Sequence, residues 1–136
     1  MPDQPQLPYF RSTGLGVSDL ARSVDFYTRV MGMEQVQTFE LDYMDEVVVS
    51  FPNGEGGHGH RLVLMHWKDG SERNYQGNPV KIVWQVADAK ATAEKARAAG
   101  FKVTREPGLS KAPGSKNVIG FIEDPDGYQI ELMQLG

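Results

Sequence analysis

Hydrophobic and polar residues alternate along residues 10–17, the period of a strand with one buried face. The spacing then changes. Leu20, Val24, Tyr27 and Met31 recur at intervals of four, three and four, which places them on one face of a helix. Ser18-Asp19 stands where a short polar side chain can accept from the free amides of a first turn, and Gly32 can supply the left-handed stop. Runs at 33–39, 47–51 and 62–67 read as three further strands. The turn-rich Pro52-Asn53-Gly54-Glu55-Gly56-Gly57 precedes the last of them.

The same order then returns. Residues 80–86 form an apolar-rich strand, and Asp88 caps a helix whose buried stripe is Ala89, Ala93 and Ala96 and whose stop is Gly100. Strands follow at 102–105, 118–122 and 128–133, the last two joined by the tight turn Glu123-Asp124-Pro125-Asp126-Gly127. Val17-Ser18-Asp19 and Val86-Ala87-Asp88 lie 69 positions apart, close to half of the 136 residues. A long, twofold repeat is a duplicated module rather than a solenoid. The expectation is an α+β chain of two tandem βαβββ modules in one domain spanning 1–136: module one at 9–67, a polar linker at 68–79, module two at 80–135. Each module has one helix for four strands, so the helix covers one sheet face. The other face must meet the sister module, a partner subunit or a ligand.

Composition narrows the function classes. A chain of 136 residues buries about two thirds of its unfolded surface, enough for one core without staples. Hydrophobic residues at 40%, charged residues at 24% and a net charge of −4 are ordinary for a folded protein, and no Lys/Arg run offers a nucleic-acid backbone a surface. No apolar run approaches a membrane span, and the start Met1-Pro2-Asp3-Gln4-Pro5-Gln6 lacks the basic and apolar regions of a signal peptide, so a cytoplasmic location is expected. Zero cysteines exclude disulfides, thiolate metal sites and a cysteine nucleophile. P-loop, GxGxxG and HExxH motifs are absent, and Gly14-Leu15-Gly16 falls inside a strand.

Two stretches carry a resemblance: Val17-Ser18-Asp19-Leu20-Ala21-Arg22-Ser23-Val24-Asp25-Phe26-Tyr27 with Met31-Gly32-Met33, and Val118-Ile119-Gly120-Phe121-Ile122-Glu123-Asp124-Pro125-Asp126-Gly127-Tyr128-Gln129-Ile130-Glu131-Leu132. Together they resemble the signatures of the vicinal oxygen chelate superfamily, the glyoxalase, bleomycin-resistance and dioxygenase fold, and most closely its glyoxalase I (lactoylglutathione lyase) branch. That resemblance implies two curved sheets around a cavity, a homodimer, and a divalent metal such as nickel or zinc held by four side chains. It also implies an isomerisation in which the metal stabilises an enediolate while a carboxylate moves the proton. Carried over position by position, the ligands fall at Ser12, at Leu62 or Leu64, at Lys81 and at Glu131. Serine is a poor ligand, leucine none, and a protonated lysine repels a cation. Glu131 is thus the one retained metal ligand and the candidate catalytic carboxylate, and no bound cofactor is expected.

Strand alternation proposes what shares the site. Lys81, Val83 and Gln85 face away from the helix, as do Gln129, Glu131 and Met133. Ser12, Gly14 and Gly16 share a face of the first strand, and if Leu62 marks the cavity face of its strand, His60, Leu64 and His66 lie there too. The expected pair is Lys81 with Glu131, a fixed cation in place of the lost metal, able to hold an anionic or carbonyl ligand. Candidate ligand contacts are Lys81, His66, Ser12, Leu62, Gln85, Gln129, Met133 and Tyr43, with Phe51, Trp67 and Tyr75 as further pocket aromatics. Phe26, Tyr27, Trp84 and Tyr128 read as core. His60 and His66 are too far apart along one strand to share an ion, and the basic loop at 111–117 reads as a connection that could fold over a ligand. The resemblance implies a lyase or isomerase acting on a small oxygenated metabolite through a degenerate metal site. The alternative is a non-catalytic module that binds and sequesters a small molecule. An extradiol dioxygenase would need two histidines and a glutamate, which Ser12 and Lys81 disfavour.

Overall fold

The computed structural model describes residues 6–53 and 57–136, which form two four-stranded mixed sheets of like topology. The first comprises β1 (Ser12–Gly16), β2 (Glu34–Glu40), β3 (Met44–Pro52) and β4 (His58–Trp67) in the order β1-β4-β3-β2. The second comprises β5 (Lys81–Gln85), β6 (Val103–Leu109), β7 (Val118–Glu123) and β8 (Gln129–Gln134) in the order β5-β8-β7-β6. In each sheet the first strand runs parallel to the last and the other pairings are antiparallel. Helix α1 (Leu20–Asp25) serves the first sheet and α2 (Ala89–Ala98) the second. Strands β3, β4 and β6 run longer than the sequence pattern indicated. Of the predicted loop at 52–57, residues 54–56 lie outside the described residues, as do residues 1–5 of the amino end.

The two helix starts have the same geometry. Asp19, at φ −140°, accepts from the Arg22 amide at 3.1 Å, and Asp88, at φ −144°, accepts from the Ala91 amide at 3.0 Å. Each satisfies one of the orphan amides of a first turn. Gly32 at φ +87° and Gly100 at φ +92° follow the helices, in backbone conformations that a side chain would strain.

One element departs from expectation. A regular helix was predicted as far as Met31, but α1 ends at Asp25 and residues Phe26–Val30 form a wider π-helical turn. The Met31 amide donates to the Phe26 carbonyl, five residues back, at 3.0 Å. The physical reason is the adjacent pair Phe26 and Tyr27, both 0% exposed. Successive residues of an α-helix diverge by about 100°, and the extra residue in the turn lets both rings enter the core.

Leu15, Val17, Val47, Val49, Leu62 and Leu64 are buried on the α1 side of sheet one. On sheet two, Ile122, Ile130 and Leu132 are buried with the alanine stripe of α2. The modules join through these helix-bearing sides. Phe26 meets Phe101 at 4.6 Å between ring centres, Tyr27 meets Trp84 at 5.9 Å, and Phe51 meets Trp84 at 5.4 Å. As expected, Phe26, Tyr27, Trp84 and Tyr128 are all core residues.

The Asp-Pro-Asp-Gly-Tyr turn is the second joint. The Tyr27 hydroxyl donates to Asp124 Oδ2 at 2.6 Å, while Asp124 Oδ1 accepts the amides of Asp126 and Tyr128, both at 2.9 Å. Asp126 accepts the Ser18 amide at 3.1 Å and the Ser18 hydroxyl. The Tyr128 hydroxyl donates to the Gly16 carbonyl at 2.6 Å. Burial, with the neighbouring Asp124 carboxylate, holds the Tyr27 hydroxyl well above the usual tyrosine range. Burial also raises Asp124, against the hydrogen bonds that favour its charged form. The residues that carry most of the resemblance thus latch module two onto the start of α1.

Candidate functional site

The register decides which side chains share the open face of each sheet. On sheet one, Gly14 pairs with Val63 and Gly16 with Met65. A Cβ placed on Gly14 would meet the Met65 side chain at 3.0 Å, and one on Gly16 the Trp67 ring at 3.4 Å. The face of Ser12, Gly14 and Gly16 therefore carries Arg61, Val63, Met65 and Trp67. This corrects the expectation that Leu62 marks it: Leu62 and Leu64 point to the α1 side, 6% and 0% exposed, and the two-residue period of the strand puts His60 and His66 on that side with them. The strand had been read one residue out of phase, and such a slip exchanges the two faces.

On sheet two the expectation holds. Lys81 pairs with Gln129 and Val83 with Glu131, so Lys81, Val83, Gln85, Gln129, Glu131 and Met133 share one face. Lys81 Nζ lies 3.5 Å from Glu131 Oε1; the lysine side chain is 54% exposed and the glutamate 17%. The two sequence-predicted residues thus meet as an ion pair, with the carboxylate set into the sheet and the ammonium reaching over it. Such a pair leaves the ammonium's remaining donors free for an incoming oxygen.

The same register reveals two residues that sequence reasoning missed. Across the sheet, Val83 pairs with Glu131, Glu131 with Phe121, and Phe121 with Arg105. Phe121 and Arg105 therefore lie in one row with the carboxylate, Arg105 about 10 Å away at two strand spacings. No carboxylate within ion-pair distance of Arg105 occurs among the described residues. Alternation along 118–122 pointed to Phe121. Arg105 could not be placed, because register shifts on either side of it break the period of β6.

The remaining candidates scatter. Ser12 lies on the open face of sheet one, paired with Arg61. Tyr43 lies just before β3, 51% exposed. His66 has its ring nitrogen Nδ1 at 2.9 Å from the Val17 carbonyl and stacks on Tyr75 at 6.1 Å. Because a carbonyl only accepts, Nδ1 carries the proton. His60 Nε2 lies 3.1 Å from Thr13 Oγ1, and His58 pairs with Glu34 at 2.9 Å. Trp67 lies beneath the Arg73 guanidinium at 4.4 Å, and Phe51 packs on Trp84. The 111–117 connection is closed by a backbone hydrogen bond from Ser110 to Asn117 at 2.8 Å.

The donor set does not fit a divalent ion. Glu131 sits two residues beyond the partner of Lys81; the corresponding residue in module one sits two beyond Arg61, the partner of Ser12, and is Val63. The four positions are therefore Ser12, Val63, Lys81 and Glu131: one hydroxyl, one hydrocarbon, one ammonium and one carboxylate. The single anionic oxygen donor is already paired with a cation. Among the described residues, no three His, Asp or Glu side chains gather in a metal-binding group.

Residues 9–132 match the family described as Glyoxalase/Bleomycin resistance protein/Dioxygenase superfamily. The chain belongs to that superfamily. Lactoylglutathione lyases of Escherichia coli O157:H7 and Haemophilus influenzae are 38% identical over 126 residues and 37% identical over 123, each match covering 90% of this chain and 89% of the relative. Among solved structures, glyoxalase I from Zea mays aligns with a TM-score of 0.77 at 26% identity, over 92% of this chain. This chain spans only 44% of that maize chain. The α+β architecture of two βαβββ modules is thus the glyoxalase-superfamily fold. No described helix is long and apolar enough to cross a membrane.

Proposed function

We propose that this glyoxalase-superfamily chain is a cytoplasmic lyase or isomerase that acts on a small oxygenated metabolite without a metal. The observation that carries the reading is the Lys81–Glu131 ion pair at the position where the family resemblance implies a bound cation. Lys81 receives a carbonyl oxygen of the substrate and stabilises the negative charge that develops on it. On a substrate with a hydroxyl on the adjacent carbon, Glu131 takes that carbon's proton and returns it to the carbonyl carbon while the hydroxyl proton passes to the former carbonyl oxygen, so that carbonyl and hydroxyl exchange places with atoms and charge balanced. Phe121 offers the substrate an apolar floor, and Arg105, about 10 Å from Glu131 across the sheet, can receive an anionic end. Gln129, Gln85 and Met133 line the same face.

The chain acts as a homodimer in this reading. Within one chain the modules meet by their helix-bearing sides, which leaves Lys81, Val83 and Gln85 exposed on β5. A second copy can cover the open faces of both sheets and close the site.

The test is proton exchange. NMR should show deuterium entering the carbon next to the carbonyl of a small 2-oxo acid, with 2-oxobutyrate as probe, at a rate unaffected by EDTA. Glu131→Gln and Lys81→Met should each slow it by two orders of magnitude or more. Exchange that requires added nickel or zinc would overturn the reading, as would equal rates in wild type and both variants. A second reading, sequestration without turnover, is favoured by the loss of three of the four metal positions. Saturable binding of the probe, weakened by Lys81→Met and with no exchange, would decide for it.

A further inference from the structure

We propose that the chain carries a second ligand site, separate from the Lys81–Glu131 face: a cleft between the two modules that takes a flat, largely apolar molecule bearing a carbonyl or hydroxyl oxygen. The cleft has a volume of about 620 Å³, within the range that holds drug-sized molecules. Helix-side residues line it, Leu15 and Leu62 from sheet one, Phe51 from β3, and Ile82 and Trp84 from β5, and the open-face residues Lys81, Val83 and Gln85 border it along β5. Glu131 is not among them. Because β5 pairs only with β8, its other edge is free, and six consecutive residues from Val80 to Gln85 border the space. Lys81 therefore borders both sites.

Two polar features select for an oxygenated ligand. Trp84 is 8% exposed and lines the cleft; no described residue accepts from its indole N–H, which is not one of the fully buried polar atoms. A donor so placed, beside a free strand edge, can receive a ligand oxygen without displacing a protein partner. Thr13 Oγ1 and His60 Nε2 lie 3.1 Å apart at the opposite wall and offer a hydroxyl a second partner. Phe10 stacks on His60 at 5.1 Å with 13° between the rings while remaining 74% exposed, which places an aromatic face beside the entrance. Apolar walls with few, spatially separated polar groups favour a planar molecule of two or three rings over a small charged metabolite.

The chain has two tryptophans, Trp67 and Trp84, so the indole region of an amide NMR spectrum reports on the site directly. The probe is 7-hydroxyflavone, and Trp67→Phe assigns the two signals. Titration should move the Trp84 indole resonance saturably and leave that of Trp67 in place. Trp84→Phe should weaken binding about fivefold to tenfold, the loss of one neutral hydrogen bond. Leu62→Trp fills the cleft and should abolish binding; Ile82→Phe narrows it from the β5 side and serves if the first variant does not fold. Glu131→Gln should leave the affinity unchanged, which separates this site from the proposed catalytic face. An unmoved Trp84 signal at saturating probe, or full affinity in the folded Leu62→Trp or Ile82→Phe variant, would overturn the proposal.

Discussion

At the scale of single residues, side chains with the same carboxyl group take opposite roles according to what surrounds them. Glu131 and Asp124 are both acidic residues of module two, seven positions apart from turn to strand. Glu131 lies against an ammonium on the open face. Asp124 is 3% exposed and accepts from a tyrosine hydroxyl and two amides. Burial raises the Asp124 pKa in the folded state. A folded value above the unfolded one means the folded state binds the proton more tightly. The contribution of this group is therefore fully present below the unfolded value of about 3.9 and is lost as pH rises through the raised folded value. Asp124→Asn keeps an acceptor for both amides and can donate to the Tyr27 oxygen. It should remove that pH dependence, so that its urea midpoint relative to wild type improves between pH 4 and pH 7. Asp124→Ala leaves three donors without their acceptor and should cost about 3 kcal/mol or more at either pH. If Asp124→Asn tracked wild type across the pH range, the assignment of the burial cost to this carboxyl would be wrong.

At the scale of elements, close approach sets the tolerance of the sheets. A Cβ on Gly120 of β7 would lie 2.8 Å from the Pro107 ring and 3.2 Å from its Cα, where β6 bulges toward it. Gly120→Ala should therefore cost about 1–3 kcal/mol of unfolding free energy, whereas Gly59→Ala, whose Cβ meets nothing within 4 Å, should cost little. Parallel urea titrations of the two variants check this. The same closeness explains what the sequence could reveal. The caps at Asp19 and Asp88, the alanine stripe of α2 and the duplicated strand order were legible because each is a local pattern with one physical cause. The Lys81–Glu131 pair was legible because β5 and β8 alternate cleanly and carry no bulge. The face of β4 was not: its run of Leu62 to Trp67 is apolar or aromatic on both sides, so alternation offers no contrast, and the phase is fixed only by pairing with the glycines of β1. Arg105 was hidden by bulges, and the π-helical turn by a helical spacing that fits Tyr27 and Met31 equally well before it widens.

At the scale of the whole molecule, one chain is not a closed object. Its accessible surface is 8602 Å², against about 7,100 Å² expected for a compact chain of its mass. The excess of about 1,500 Å² is larger than the 800 Å² or so that one partner contributes to an ordinary stable interface. The exposed apolar residues do not form a single patch by sequence; they include Val83 at 45% on β5, Phe39 at 40% on β2 and Leu109 at 71% at the end of β6. Exposed apolar side chains on both sheets are what a partner that spans both modules would cover, and a partner of that reach is most simply a second copy in twofold arrangement. Light scattering at micromolar concentration should accordingly give a mass of twice 15.1 kDa. Val83→Asp places a carboxylate on the most exposed apolar position of β5 and should shift the population toward monomer. Because Val83 is beside Glu131 in register, the same variant should also weaken binding of 2-oxobutyrate, even in the residual dimer. A monomeric wild type with full proton-exchange activity would show that each module's open face works alone, and that the excess surface serves the ligand rather than a partner.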